Sequence, residues 1–301
     1  MEKVILAGAS GYFGSLAEHY LKKSGVEVLS AGRRVRSDLH FDLDLLEEFA
    51  SSQIDGEIDV FIHAAATHEV DCVESPYKCV NRNVAGTRAA LDFCVKNKIK
   101  KFIYISTFHV YGTDVGVINE RTPVAPLHDY GITHFQAEEY VRMYTRKGLI
   151  DGVCLRPSNM FGLPVSLINF DRWTLIPFSF CKDAVEKGEV ELKTPGHQYR
   201  NFVSVEDIVN VIKKISSNEI NAEIINIPGV DTYSIREFAK LVQNVMSEKF
   251  DIKILVTAPD GEVKSRLFYE SDYFDPESMN FSHIKEHVNQ FCGHMIANGK
   301  N

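Results

Sequence analysis

Between the apolar run KVILAG (3–8) and the helical pattern YFGSLAEHYLKKS (12–24) the chain reads GASGYFG, with glycines at 8, 11 and 14. A strand that enters a glycine-rich turn and leaves it as a helix is a restrictive pattern. The turn must be tight, backbone must approach closely, and the first N–H groups of the helix have no partner within it. Such a junction predicts a parallel α/β sheet whose first strand–helix turn holds the pyrophosphate of a dinucleotide. Gly8, Ser10, Gly11, Tyr12, Phe13 and Gly14 are the residues expected to line it.

Further along, β-branched runs keep alternating with longer helical patterns. VEVLSAG (26–32), IDVFIHAAA (58–66), KKFIYIST (100–107) and DGVCLRP (151–157) read as buried strands, and YKCVNRNVAGTRAALDFCVKNK (77–98) and residues 130–147 as helices. The succession predicts the α/β class with a doubly wound, Rossmann-type parallel sheet. After Pro157 the pattern breaks into stretches containing proline, glycine and aromatic residues. The expected division is a dinucleotide-binding domain at 1–159 and 200–229, with a smaller, discontinuous C-terminal substrate lobe at 160–199 and 230–301.

A formal net charge of -8, with no dense block of Lys and Arg to track phosphates, argues against nucleic acid as a partner. No apolar span is long enough to cross a bilayer, and MEKVILAGASG lacks the pattern of an export signal, so a cytoplasmic protein is expected. The cysteines at 72, 79, 94, 154, 181 and 292 show no zinc or redox spacing and read as reduced, mostly buried thiols. The histidines form no two-histidine metal motif, so no catalytic metal is expected.

The end of the second strand selects between cofactors. NAD-binding versions of this fold place an acidic residue there for the ribose 2′-hydroxyl, whereas a 2′-phosphate calls for positive charge. Here the chain reads SAGRR, with Gly32 at the acidic position followed by Arg33 and Arg34. Two guanidinium groups suit a 2′-phosphate and therefore NADP (NADPH); two solvated surface arginines are the alternative. Asp42, in FDLDL, is a candidate contact to the adenine.

With HAAA (63–66), NRNVAGT (81–87), ISTFHVYG (105–112), YGITHFQAEE (130–139), LRPSNMFG (155–162) and YRNFVSVEDI (199–208) following GASGYFG in order, the chain resembles the extended short-chain dehydrogenase/reductase family. That group contains nucleotide-sugar epimerases, dehydratases and ketoreductases. The resemblance implies that Ala64, Ala65 and Ala66 lie beneath the nicotinamide ribose, and that Asn83 and Pro157 border the cofactor. Thr107 corresponds to the residue that bonds the reacting oxygen, and Tyr130 to the catalytic acid/base. Asn159 and Arg200 correspond to residues that hold a sugar nucleotide's phosphates, with a lobe-bridging ion pair as the alternative for Arg200. His109 is placed near the reacting sugar, with a packed strand-end residue as its alternative. The helices at 79–97 and 130–147 correspond to a homodimer interface.

One position departs from the family. Four residues after the tyrosine, where a lysine bonds the ribose and lowers the tyrosine's pKa, stands His134. Positions i and i+4 share a helix face, so the spacing survives while the fixed charge does not. A reductase, which needs a protonated tyrosine, loses less by this change than an epimerase, which needs the phenolate as base; a third reading is a catalytically silent NADP-binding module. Phe108 and His109 stand where dehydratases of the family carry an acid pair. The resulting expectation is NADPH-dependent reduction of a keto group on a nucleotide-diphosphate sugar, C4 of a 4-keto-6-deoxysugar, through Tyr130, Thr107 and His134.

Overall fold

The computed structural model describes residues 2–33, 36–168, 170–263 and 265–298. The chain begins β1 (Lys3–Ala7), α1 (Tyr12–Lys23), β2 (Glu27–Gly32), β3 (Leu39–His40), α2 (Leu46–Ser51) and β4 (Val60–His63). Two short helices follow, α3 (Glu69–Glu74) and α4 (Pro76–Val80), then a π-helical turn (Asn81–Ala85) and α5 (Gly86–Lys96). Next come β5 (Lys101–Ile105), a 3-10 turn (Phe108–Tyr111), β6 (Gly116–Ile118), α6 (Asp129–Arg146), β7 (Asp151–Pro157) and β8 (Asn159–Phe161). The remainder runs α7 (Ile176–Glu186), β9 (Glu189–Glu191), β10 (Tyr199–Ser204), α8 (Val205–Ser216), β11 (Ile224–Ile227), β12 (Asp231–Ser234), α9 (Ile235–Phe250), β13 (Leu255–Thr257), β14 (Leu267–Tyr269) and α10 (Ile284–Asn298).

Seven strands form one parallel sheet in the order β11-β7-β5-β4-β1-β2-β3. This is the expected doubly wound fold. Alternation explains why its strands read as continuous apolar runs: Val4 and Leu6 face one core, which α1 and α8 cover, while Ile5 and Ala7 face the other, which α5 and α6 cover. The strand order reverses between β1 and β4, and at their carboxyl ends lie Gly8 and Ala64, the crevice where this fold takes its ligands.

Three findings depart from the expectations. Cys72 and Cys79 are joined by a disulfide, so only Cys94, Cys154, Cys181 and Cys292 are free and buried. The chain breaks at Ser75–Pro76, and α4 folds back on α3 until the two Cα atoms are 5.0 Å apart. Secondly, the long helix expected from 77 is interrupted by the π-helical turn, whose wider winding places Asn83 in the interior. Thirdly, Tyr199–Ser204 does not join the large sheet; β10 lies between β12 and β8 in a separate three-stranded sheet.

A further apolar core gathers Phe161, Phe170, Phe178, Phe202, Phe238 and Phe291 around α7, α9 and α10. Within it His287 lies against Phe161, Phe178 and Phe291, and neither ring nitrogen has a partner among the described residues. Burial pushes its pKa down to about 3, so the ring stays neutral in the folded chain while the unfolded chain protonates it below about pH 6.5. Stability is therefore lost as pH falls through that window, by up to about 1.4 kcal/mol per pH unit for this one group. His287→Phe is expected to stabilise the fold by about 1–3 kcal/mol at neutral pH and to gain further on wild type between pH 6.5 and 5. Urea unfolding at the two pH values checks both; an equal or lower stability would mean that the ring nitrogens have partners in solution.

Candidate active site

Gly8 sits at the end of β1 with φ +86, a conformation that L side chains rarely adopt. A Cβ there would come within 2.7 Å of the Ala64 carbonyl carbon, so the phosphate turn and the HAAA stretch close on each other only through glycine. Gly11 opens α1 without a side-chain cap, leaving the first N–H groups of the helix available to an anion. Ser10 is exposed beside it, and Phe13 packs into the core. Tyr12 turns away from the turn, donating its hydroxyl hydrogen to the Gly162 carbonyl at 3.1 Å.

Several other cofactor candidates lie at or just past the ends of neighbouring strands. Ala64 and Ala65 are half-buried and Ala66 is exposed. Gly32 ends β2, and Arg33 after it is exposed, while Arg34 falls outside the described residues. Asp42 accepts from the Asp44 amide at 3.0 Å within its own turn. Pro157 ends β7 opposite Ile227. These features fit a dinucleotide: clearance at Gly8, small side chains at 64–66, an uncapped helix start and an exposed cation, Arg33, after the end of β2.

Asn83 ties the floor of the site together. Buried at 1% exposure, it accepts from the Thr67 amide at 2.7 Å and donates to Thr133 Oγ1 at 3.0 Å, with the Cys79 sulfur 3.4 Å away. The turn after the three alanines is thereby fastened to the first turn of α6. Thr87 donates to the Asn83 carbonyl at 2.7 Å, and His63 Nε2 lies 3.1 Å from the same hydroxyl.

Tyr130, in the first turn of α6, faces Thr107, two residues past the end of β5. Burial raises the Tyr130 phenol above its ordinary range; the charge of Arg172 and the nearby Thr107 hydroxyl offset part of the rise, and Glu69 adds to it. His134 packs edge-on against Tyr130, with ring centroids 4.5 Å apart, and its Nδ1 is 2.7 Å from the Tyr104 hydroxyl. It is 2% exposed, and its Nε2 has no partner among the described residues. Burial, with smaller contributions from His109 and His63, holds its pKa down to about 3. His134 therefore carries no charge near neutral pH.

Of the remaining candidates, Arg200 is engaged by Asp114 at 2.8 Å and by the Tyr199 carbonyl at 2.7 Å. Asn159 donates to the Asn201 carbonyl at 2.9 Å. His109 stacks on Phe108 and faces Tyr130 at 5.9 Å between ring centroids. Burial pushes its pKa down to about 4, with His128 and Arg200 adding to the shift and Asp114 opposing it. Three residues that sequence reasoning missed also belong here: Tyr104, His128 and Arg172. Only His128 carried a local signal, as a histidine in the position before a helix where Ser, Thr, Asp or Asn is usual.

A crevice whose lining fits a dinucleotide thus opens at the switch point of the sheet, where this fold takes its ligands. Residues 4–228 match the model of the NAD dependent epimerase/dehydratase family, and the chain belongs to that family. The uncharacterized UDP-glucose epimerase YtcB of Bacillus subtilis (strain 168) is 23% identical over 278 residues, 82% of this chain and 83% of that protein. Among solved structures, RMD from Pseudomonas aeruginosa complexed with NADPH gives a TM-score of 0.79 at 16% identity, covering 99% of this chain and 100% of that one. UDP-glucose 4-epimerase from Thermotoga maritima with UDP-glucose gives 0.77 at 21%, covering 98% and 99%. At these identities the structures speak for the fold. Among the described residues no helix is long and apolar enough to cross a membrane, and no group of three or more His, Cys, Asp or Glu is placed to hold a metal.

Proposed function

We propose that the protein reduces a keto group on a nucleotide-linked sugar, C4 of a nucleoside diphosphate 4-keto-6-deoxysugar, with NADPH as its cofactor. The observation that carries this reading is the residue packed on Tyr130: four positions on stands His134, 2% exposed and bonded to the Tyr104 hydroxyl, where burial favours the neutral ring, as it favours the phenol of Tyr130. Thr107 holds the carbonyl oxygen and Tyr130 delivers the proton to it. When bound, NADPH supplies the hydride. A chemistry that begins with oxidation needs the phenolate, and His134 brings no cation to favour it. Phe108, buried against Tyr269, and neutral His109 offer no carboxyl pair for removing water.

The choice of NADPH rests on Gly32 and the exposed Arg33, and the NADPH complex of the Pseudomonas enzyme lends it support. The nucleotide end of the substrate is assigned to the lobe at 160–199 and 230–301. Arg200 would exchange Asp114 for a substrate phosphate. A homodimer through 79–97 and 130–147 accords with the exposed apolar residues Val80, Val95 and Ile132 on those segments, and a cytoplasmic location with dependence on the reduced cofactor pool.

The test is oxidation of NADPH, with NADH in parallel, against thymidine, cytidine, guanosine and uridine diphosphate 4-keto-6-deoxysugars. Turnover with one of them and preference for NADPH are expected; turnover of none, with tight NADPH binding, would leave the silent module. The raised Tyr130 pKa adds an expectation for pH. The acid form is the working form in reduction and persists below the folded pKa, so the reduction rate should show no falling limb up to about pH 9. A fall setting in near pH 7 in the pH–rate profile would show that Tyr130 ionises far earlier and is not protected by burial.

A further inference from the structure

His128 is the last residue before α6, and its Nδ1 accepts the Gly131 amide at 3.1 Å. A ring nitrogen that accepts a backbone N–H carries no proton, so the neutral ring must hold its proton on Nε2. That Nε2 has no hydrogen-bond partner among the described residues, and the ring is half-buried rather than sealed in the core. Its centroid lies 5.1 Å from that of His109 and 6.2 Å from that of Tyr130, so the three rings form a triangle beside Thr107. Gly131 permits this closeness, since a Cβ there would meet the His109 carbonyl oxygen at 2.7 Å.

We infer that His128 is a substrate-binding residue, a hydrogen-bond donor whose Nε2–H is fixed by the helix cap and recognises an uncharged hydroxyl of the sugar next to the reacting carbonyl. This rests on the keto-sugar reading above and adds to it the group that reads the neighbouring ring position. The tautomer matters chemically. An imidazole free to choose would accept or donate, whereas one nitrogen occupied by Gly131 leaves a donor only. In that reading Thr107 and Tyr130 serve the reacting oxygen, so the His128 donor serves a different one. A sugar lacking that hydroxyl would leave the donor unpaired in a half-buried site, which is a basis for discrimination.

The test separates the cap from the donor. Serine is a strong helix cap through its own oxygen but cannot extend a donor to where the imidazole Nε2 lies; alanine provides neither. Wild type, His128→Ser and His128→Ala are compared by melting temperature and, with NADPH saturating, by calorimetric titration with nucleoside diphosphates and with the corresponding nucleoside diphosphate 6-deoxyhexoses, which are already reduced and do not turn over. The expected result for His128→Ser is an unchanged melting temperature, unchanged affinity for the nucleoside diphosphate alone and a sugar-nucleotide affinity weaker by at least about five-fold, with His128→Ala also melting lower. Sugar-nucleotide affinity equal to wild type in His128→Ser would overturn the inference and leave His128 a cap. An equal loss for the nucleoside diphosphate alone would overturn it too, because the lost contact would not be to the sugar. Wild type that binds none of the sugar nucleotides would overturn the keto-sugar reading and this inference together.

Discussion

Replacing Tyr130 with phenylalanine is expected to lower the rate of NADPH-dependent keto-sugar reduction by about 10²–10⁴-fold, the usual contribution of a positioned general acid. Binding of NADPH and of the sugar nucleotide should be retained, because the ring remains to pack on His134 and His109 and only the hydroxyl is removed. The kcat should therefore fall while KM moves little. Thr107 keeps its own backbone partner, the His109 amide at 3.2 Å, so the local turn has reason to persist. Steady-state kinetics on the substrate identified by the panel decides the matter, and a phenylalanine variant with wild-type kcat would take Tyr130 out of the mechanism.

The largest effect on stability is expected from the ion pair that anchors the same helix. Glu138 on α6 and Arg156 on β7 are 0% and 1% exposed, joined through Nε–Oε1 at 2.9 Å and Nη2–Oε2 at 2.5 Å. Ser106 donates to the carboxylate at 2.5 Å, and the guanidinium lies over the Tyr111 ring at 4.8 Å. Arg156→Met leaves a carboxylate buried with only the hydroxyl of Ser106, and should cost about 3–5 kcal/mol. The double variant Glu138→Leu with Arg156→Met removes both charges and should recover most of that loss, since the pair repays little more than its own desolvation. Urea unfolding of the single and double variants measures the difference. A single variant within 1 kcal/mol of wild type would show that water reaches the carboxylate.

The parts of this fold that depend on local pattern were legible in the sequence. Alternation placed β1, β4, β5 and β7, and the glycine turn placed the cofactor crevice, because neighbouring residues decide both. What sequence could not give depends on distant partners. Arg200 finds Asp114 across 86 positions, and Arg172 reaches the neighbourhood of Tyr130 from a loop that carries no periodic signal. Cys72 and Cys79 have the spacing of no known motif, and only the break at Ser75–Pro76 turns them toward each other. Strand β10 pairs with β8 and β12, distant in sequence, and this takes it out of the large sheet. At His134 the sequence raised the right question but could not answer it: the charge is set by the depth of the site, and the ring is held by Tyr104, thirty residues earlier.

Tyr12 belongs to the phosphate turn by sequence, but its ring packs edge-on against Phe170 at 5.6 Å and Phe178 at 5.3 Å, and it touches the core of the large sheet as well. With its hydroxyl bonded to the Gly162 carbonyl, this side chain closes the place where a cut between the two halves of the molecule would be attempted. A fragment ending near residue 161 would expose the Tyr12 ring, and a fragment beginning there would open its aromatic core to water. The two halves are therefore expected to melt together, and a gene split at that point to yield two insoluble pieces.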